Sequence, residues 1–132
     1  MNRLLPLALL GTLGLALAHT EVTSVTPGPQ AAVAAPRSVL LRFSEPIELR
    51  FSTFRVMTLP TGKTPEAAAK LALALGADAP ELANTPFTAR SLAAQLALPL
   101  KPGLKSGTYV VAWKILSDDG HPVTGQSVFR VR

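Results

Sequence analysis

The chain has 132 residues, 48% of them hydrophobic, 16% charged and only 5% aromatic, which suits a single domain. Zero cysteines exclude a disulfide scaffold, a thiol nucleophile and thiolate-bound zinc or iron–sulfur sites, so any metal must be held by nitrogen and oxygen. The formal charge of +5 comes from cations scattered along the chain and not interleaved with aromatics, which excludes a nucleic-acid surface, and 12 prolines with 9 glycines argue against a helical bundle.

Residues 1–18, MNRLLPLALLGTLGLALA, combine a cation at Arg3, an apolar run from Leu4 to Leu17 and small residues at Ala16 and Ala18. This is the pattern of a cleaved secretory leader. The run of about 14 residues falls short of the roughly 20 that span a bilayer, so no stable membrane insertion is expected after cleavage. The small-x-small rule places the cut before His19, leaving residues 19–132 as a secreted domain that begins with histidine. Loss of Arg3 lowers its charge from +5 to +4.

Strand signals then dominate. Glu21 to Thr26 is rich in Thr and Val and stops at Pro27-Gly28-Pro29; Val39, Leu41 and Phe43 alternate with Leu40 and Arg42 in a second strand that ends at Ser44-Glu45-Pro46. Phe54, Val56 and Thr58 line one face of a third, closed by Pro60-Thr61-Gly62. Pro65–Leu75 has helical composition, with Pro at the first position and Gly76 just past the end; Leu71, Leu73 and Leu75 also alternate as in a strand, and we read a helix. Residues 76–90 read as loop. Leu96, Leu98 and Leu100 alternate before Pro102-Gly103, Tyr109 to Ile115 follows with Trp113 as a core residue, and Val128 to Val131 closes the domain. Several short strands with turn punctuation imply a sandwich or a barrel. A single Trp and a single Tyr are too few for a carbohydrate-binding face.

The two histidines carry the chemistry. As a first residue, His19 offers its α-amine and its ring Nδ1, which together close a six-membered chelate on one ion. His121 stands in Ser117-Asp118-Asp119-Gly120-His121-Pro122, a polar turn in which Gly120 permits geometry that aims Asp119 and His121 at one point. Three nitrogens and a carboxylate oxygen suit tetragonal Cu(II) or Ni(II), and the Irving–Williams order favours Cu(II). The plainer alternative is an Asp-Gly turn with a solvent-facing histidine. No Ser sits in a nucleophile-elbow context and no phosphate-binding Gly-Lys loop is present. Glu45 and Glu48 read as residues flanking a turn, since nothing nearby would raise the pKa of one of a catalytic pair.

Five separated pieces resemble the CopC family of periplasmic copper-binding proteins. They are the His19 start after a leader, Phe43-Ser44-Glu45-Pro46-Ile47-Glu48, Leu104-Lys105-Ser106-Gly107-Thr108-Tyr109 with Val111 and Trp113, Ser117-Asp118-Asp119-Gly120-His121 with Val123 and Gly125, and Phe129-Arg130-Val131. The resemblance implies a single all-β domain, an immunoglobulin-like Greek-key β-sandwich. It also implies one Cu(II) per chain on His19, Asp119 and His121, with Glu45 as an outer carboxylate, and a monomeric copper carrier, buffer or resistance factor. A CopD-like inner-membrane copper permease is the implied partner. Unlike members that carry several methionines for Cu(I), the domain after cleavage has only Met57, and Thr64 to Arg90 matches the family poorly. Two other functions stay open at this point. An N-terminal histidine with a second histidine also resembles the copper brace of polysaccharide monooxygenases, and a metal-free immunoglobulin-like interaction module would need neither.

Overall fold

A computed structural model describes residues 19–87, 92–117 and 120–132; the leader and Asp119 lie outside them. In chain order the elements are β1 (Val22–Thr26), β2 (Ala32–Val33), β3 (Ser38–Glu48), a 3-10 turn (Leu49–Phe51), β4 (Thr53–Thr58), α1 (Pro65–Ala74), β5 (Leu92–Pro99), β6 (Gly107–Leu116) and β7 (Pro122–Val131). They form two sheets, ordered β1-β3-β5 and β2-β7-β6-β4. The chain changes sheet at every connection except the β6–β7 turn, so the architecture is a β-sandwich closed mainly by long-range pairing.

Alternation explains β3: Val39, Leu41 and Phe43 point into the space between the sheets while Arg42 stays exposed. Strand β6 has no polar face over most of its length because both faces are covered. Tyr109, Val111, Trp113 and Ile115 enter the inter-sheet core, whereas Val110 and Ala112 lie under α1. Tyr109 also donates its hydroxyl to the Lys105 carbonyl four residues upstream, 2.8 Å away, the corner contact typical of immunoglobulin-like sandwiches. The Trp113 ring lies against Gly125 on β7, where an added Cβ would come within 2.6 Å of the indole.

The expected helix forms. Thr64 caps it by accepting the Ala67 N–H at 3.1 Å, Pro65 opens it, and Ala68, Ala69 and Ala72 make a small-residue face that packs on the sheet. Other expectations need correction. Strand β3 does not stop at Ser44-Glu45-Pro46: its register with β5 shifts between Arg42 and Ile47, and that irregularity accommodates a proline without an N–H. Glu45 and Glu48 therefore belong to a strand, and of the two only Glu48 stands beside a turn, immediately before Leu49–Phe51. Thr58 is exposed; the residue of β4 buried next to it is Met57, packed under α1 on the face opposite Phe54 and Val56. Strand β7 begins at Pro122, six residues before the expected Val128, and the two-residue β2 carried no readable pattern.

The segment read as loop is not simply a solvated one. Leu82, Ala83 and Asn84 are buried, and Ala83 donates its N–H to the Val56 carbonyl at 2.7 Å while the Asn84 side chain accepts the Val56 N–H at 2.7 Å. The pair satisfies and covers the edge of β4 that β6 leaves open.

Candidate metal centre

His19 stands three residues before β1 and His121 immediately before β7, so the two precede strands of different sheets. On the first side Thr20 is almost fully buried and its hydroxyl donates to the Glu45 carboxylate. Glu21 then donates its N–H to Ser44 Oγ at 3.0 Å and accepts the Ser44 N–H at 2.9 Å, after which the ladder continues with Val22 opposite Phe43. His19 is thus the exposed residue beyond a segment pinned to β3.

On the second side the hairpin ends with Leu116 opposite Pro122. The Ser117 N–H and hydroxyl both donate to the His121 carbonyl, each at 2.9 Å, and the Gly120 N–H donates to the Ser117 carbonyl at 2.9 Å. Gly120 has φ +81°, a left-handed conformation that glycine adopts without strain, as the sequence suggested. In these bonds His121 takes part through its backbone carbonyl.

The two rings meet edge to face, with centroids 6.5 Å apart and planes at 84°. With a ring nitrogen about 1.1 Å from its centroid and about 2.0 Å from a metal, two imidazoles on one ion have centroids about 4.4 Å apart at a right angle and about 6.2 Å apart when opposed. The observed separation lies a few tenths of an ångström beyond the opposed arrangement, within reach of a small torsional change in two exposed side chains. The pair stands close to the separation that one shared ion would need. Among the described residues no group of three or more His, Asp or Glu side chains is assembled for a metal, and Asp119 lies outside them. Glu45 reaches the neighbourhood through Thr20, one residue from His19.

Thr20 is the residue that sequence reasoning missed. Nothing in a threonine beside a histidine marks it as buried, and only its register against Glu45 reveals the anchoring role. Met57, the remaining thioether, is packed among Ala68, Ala69, Ala72, Leu82, Val110 and Ala112.

Comparison with known proteins agrees with this architecture. The model of the CopC domain matches residues 22–132. Copper resistance protein C of Escherichia coli is 34% identical over 120 residues, covering 89% of this chain and 84% of that protein. Copper resistance protein C of Pseudomonas syringae pv. tomato is 36% identical with the same coverage. Among solved structures, CopC from Methylosinus trichosporium OB3b superposes with a TM-score of 0.61 at 29% identity, over 86% of this chain and 93% of that one. PcoC, a copper resistance protein from Escherichia coli, gives 0.57 at 28%, over 85% and 99%. The chain belongs to the CopC family.

Proposed function

We propose that this CopC-family chain is a periplasmic Cu(II)-binding protein, secreted by cleavage before His19, that serves as a copper carrier, buffer or resistance factor. One ion is held by the freed α-amine and ring of His19, the ring of His121 and the carboxylate of Asp119. The observation that carries this reading is the 6.5 Å approach of the only two histidines in the chain, delivered from opposite sheets. The names of its relatives support copper as the metal.

The donor chemistry supports Cu(II). Nitrogen and carboxylate ligands match Cu(II), while Cu(I) prefers thiolates and thioethers. The chain has no cysteine, and Met57 is buried under α1. On this reading the protein is a copper carrier and not an enzyme. Thr20 and Glu45 would hold the chain beside His19 still while His19 exchanges its ligands. A CopD-like permease in the inner membrane is the proposed recipient or donor of the ion.

The test compares two chains: residues 19–132 with a free His19 amine, and the same chain with one extra residue before it. In the extended chain the His19 nitrogen is an amide that offers no neutral lone pair. The authentic chain should take up one Cu(II) per molecule in competition with a chromophoric chelator, and the extended chain should bind far more weakly. Equal affinity with the same visible absorption maximum would sink the reading.

A further inference from the structure

Away from the histidines, a cavity of about 250 Å³ opens between the 3-10 turn and the start of β4, bounded by Arg50, Ser52, Thr53 and Arg55 on one side and by Pro86 and Phe87 on the other. A water molecule's share of liquid volume is roughly 30 Å³, so the cavity holds a small solute together with some of its hydration.

Arg55 decides what that solute is. Its Nη1 donates to the Phe54 carbonyl at 2.9 Å and its Nε to the Leu75 carbonyl at 3.4 Å, the latter just past the end of α1. Two backbone acceptors thus fix the plane of the guanidinium without neutralising it. A guanidinium has five N–H donors, so three remain, one on Nη1 and two on Nη2, and these can serve an oxyanion. Among the described residues Arg55 pairs with no carboxylate, and Glu48 lies 3.3 Å from Arg50. Partial burial lowers the Arg55 pKa from its ordinary value by desolvating the charge. Arg50 contributes a second cation, oriented by stacking on Phe51 with 4.6 Å to the ring centroid.

We propose that this cavity is a binding site for a small oxyanion, a phosphate or an organic carboxylate, held by the terminal edge of Arg55, with Arg50 adding positive potential and the Ser52 and Thr53 hydroxyls adding donors. The apolar wall of Phe87 and Leu49 lowers the local dielectric and strengthens the pairing. The site is independent of the copper reading, because none of its residues belongs to the proposed metal set.

The experiment uses the isotope-labelled 19–132 chain without copper, titrated separately with inorganic phosphate and with acetate at constant ionic strength set by sodium chloride. Saturable shifts should concentrate on the Arg55 Nε resonance and on the amides of Ser52, Thr53 and Ala77. Saturation by phosphate alone identifies a phosphate ligand, by acetate alone a carboxylate, and either outcome supports the site. Arg55→Gln should weaken the response about ten-fold or more, the effect of losing a charge-assisted pair. Because that variant also loses two carbonyl contacts, Arg50→Gln, at a more exposed position, is tested alongside and should weaken binding without changing the thermal midpoint. The proposal is overturned if neither anion saturates, if shifts spread evenly over distant cations such as Arg37, Lys63 and Lys101, or if both variants titrate like the parent.

Discussion

His121 holds its turn through its carbonyl, which receives both donors of Ser117. Truncation to Ala keeps that carbonyl and removes the ring that we propose as a metal ligand. His121→Ala should lower Cu(II) affinity more than Asp119→Ala does, because imidazole is the better Cu(II) ligand while the carboxylate also acts through charge. Exposed turn substitutions cost within about 0.5 kcal/mol, so the far-UV spectrum and thermal midpoint of both variants should match the parent. Competition titration on the two purified variants checks the order, and an unfolded His121→Ala would assign the ring a structural role instead. The same scale shows why His19 was recognisable and Thr20 was not. A histidine at an expected cleavage site stands out chemically, whereas a buried threonine is known only by the carboxylate opposite it.

Among the elements, β6 and β7 depend on one close approach. The Trp113 ring occupies the space that a side chain at 125 would need, with the nearest ring carbon 2.6 Å from the position of a Cβ. Gly125→Ala should destabilise the domain by about 1–3 kcal/mol, since neither the strand backbone nor the packed indole can yield freely. Thermal unfolding measures the loss, and the fluorescence of the single tryptophan should shift as its ring moves toward solvent. An unchanged midpoint would mean that the ring has another rotamer available. Strand alternation was legible for β3, β4 and β6, but the edge cover formed by Ala83 and Asn84 was not. Its hydrogen bonds answer to backbone groups of Val56, 27 and 28 residues earlier in the chain, and no local pattern encodes that pairing.

At the scale of the whole molecule, the sandwich is closed partly by Tyr109, buried in the core with its hydroxyl donating to Lys105. Burial pushes the Tyr109 hydroxyl above its ordinary value of 10.0. The folded state therefore favours the neutral phenol. That contribution is complete below the unfolded pKa of about 10 and is lost as pH rises through the higher folded value. The parent's thermal midpoint should fall between pH 9 and pH 11, values that bracket a phenol's ordinary pKa of about 10, by more than that of Tyr109→Phe. Equal falls in the two proteins would remove Tyr109 from the alkaline transition. At neutral pH the same variant should be less stable by about 1 kcal/mol, the typical worth of the hydrogen bond it gives up.

Periodicity, composition and turn residues were enough to read an all-β domain, the capped helix at Pro65 and the Trp113 strand as core, and they singled out the two histidines as candidates. These properties are local, because alternation every two residues, a proline at a helix start and the absence of cysteine need no knowledge of distant chain. The tertiary structure decided what depends on contacts across long stretches of sequence. It carried β3 through Pro46 by a register shift, buried Thr20 against Glu45, and wrapped 82–84 over the edge of β4. It also brought His19 and His121, 102 positions apart, to 6.5 Å, because each precedes a strand at the same end of opposite sheets. Sheet order and strand register are set by the whole core at once, and only they could turn two separated histidines into one candidate site.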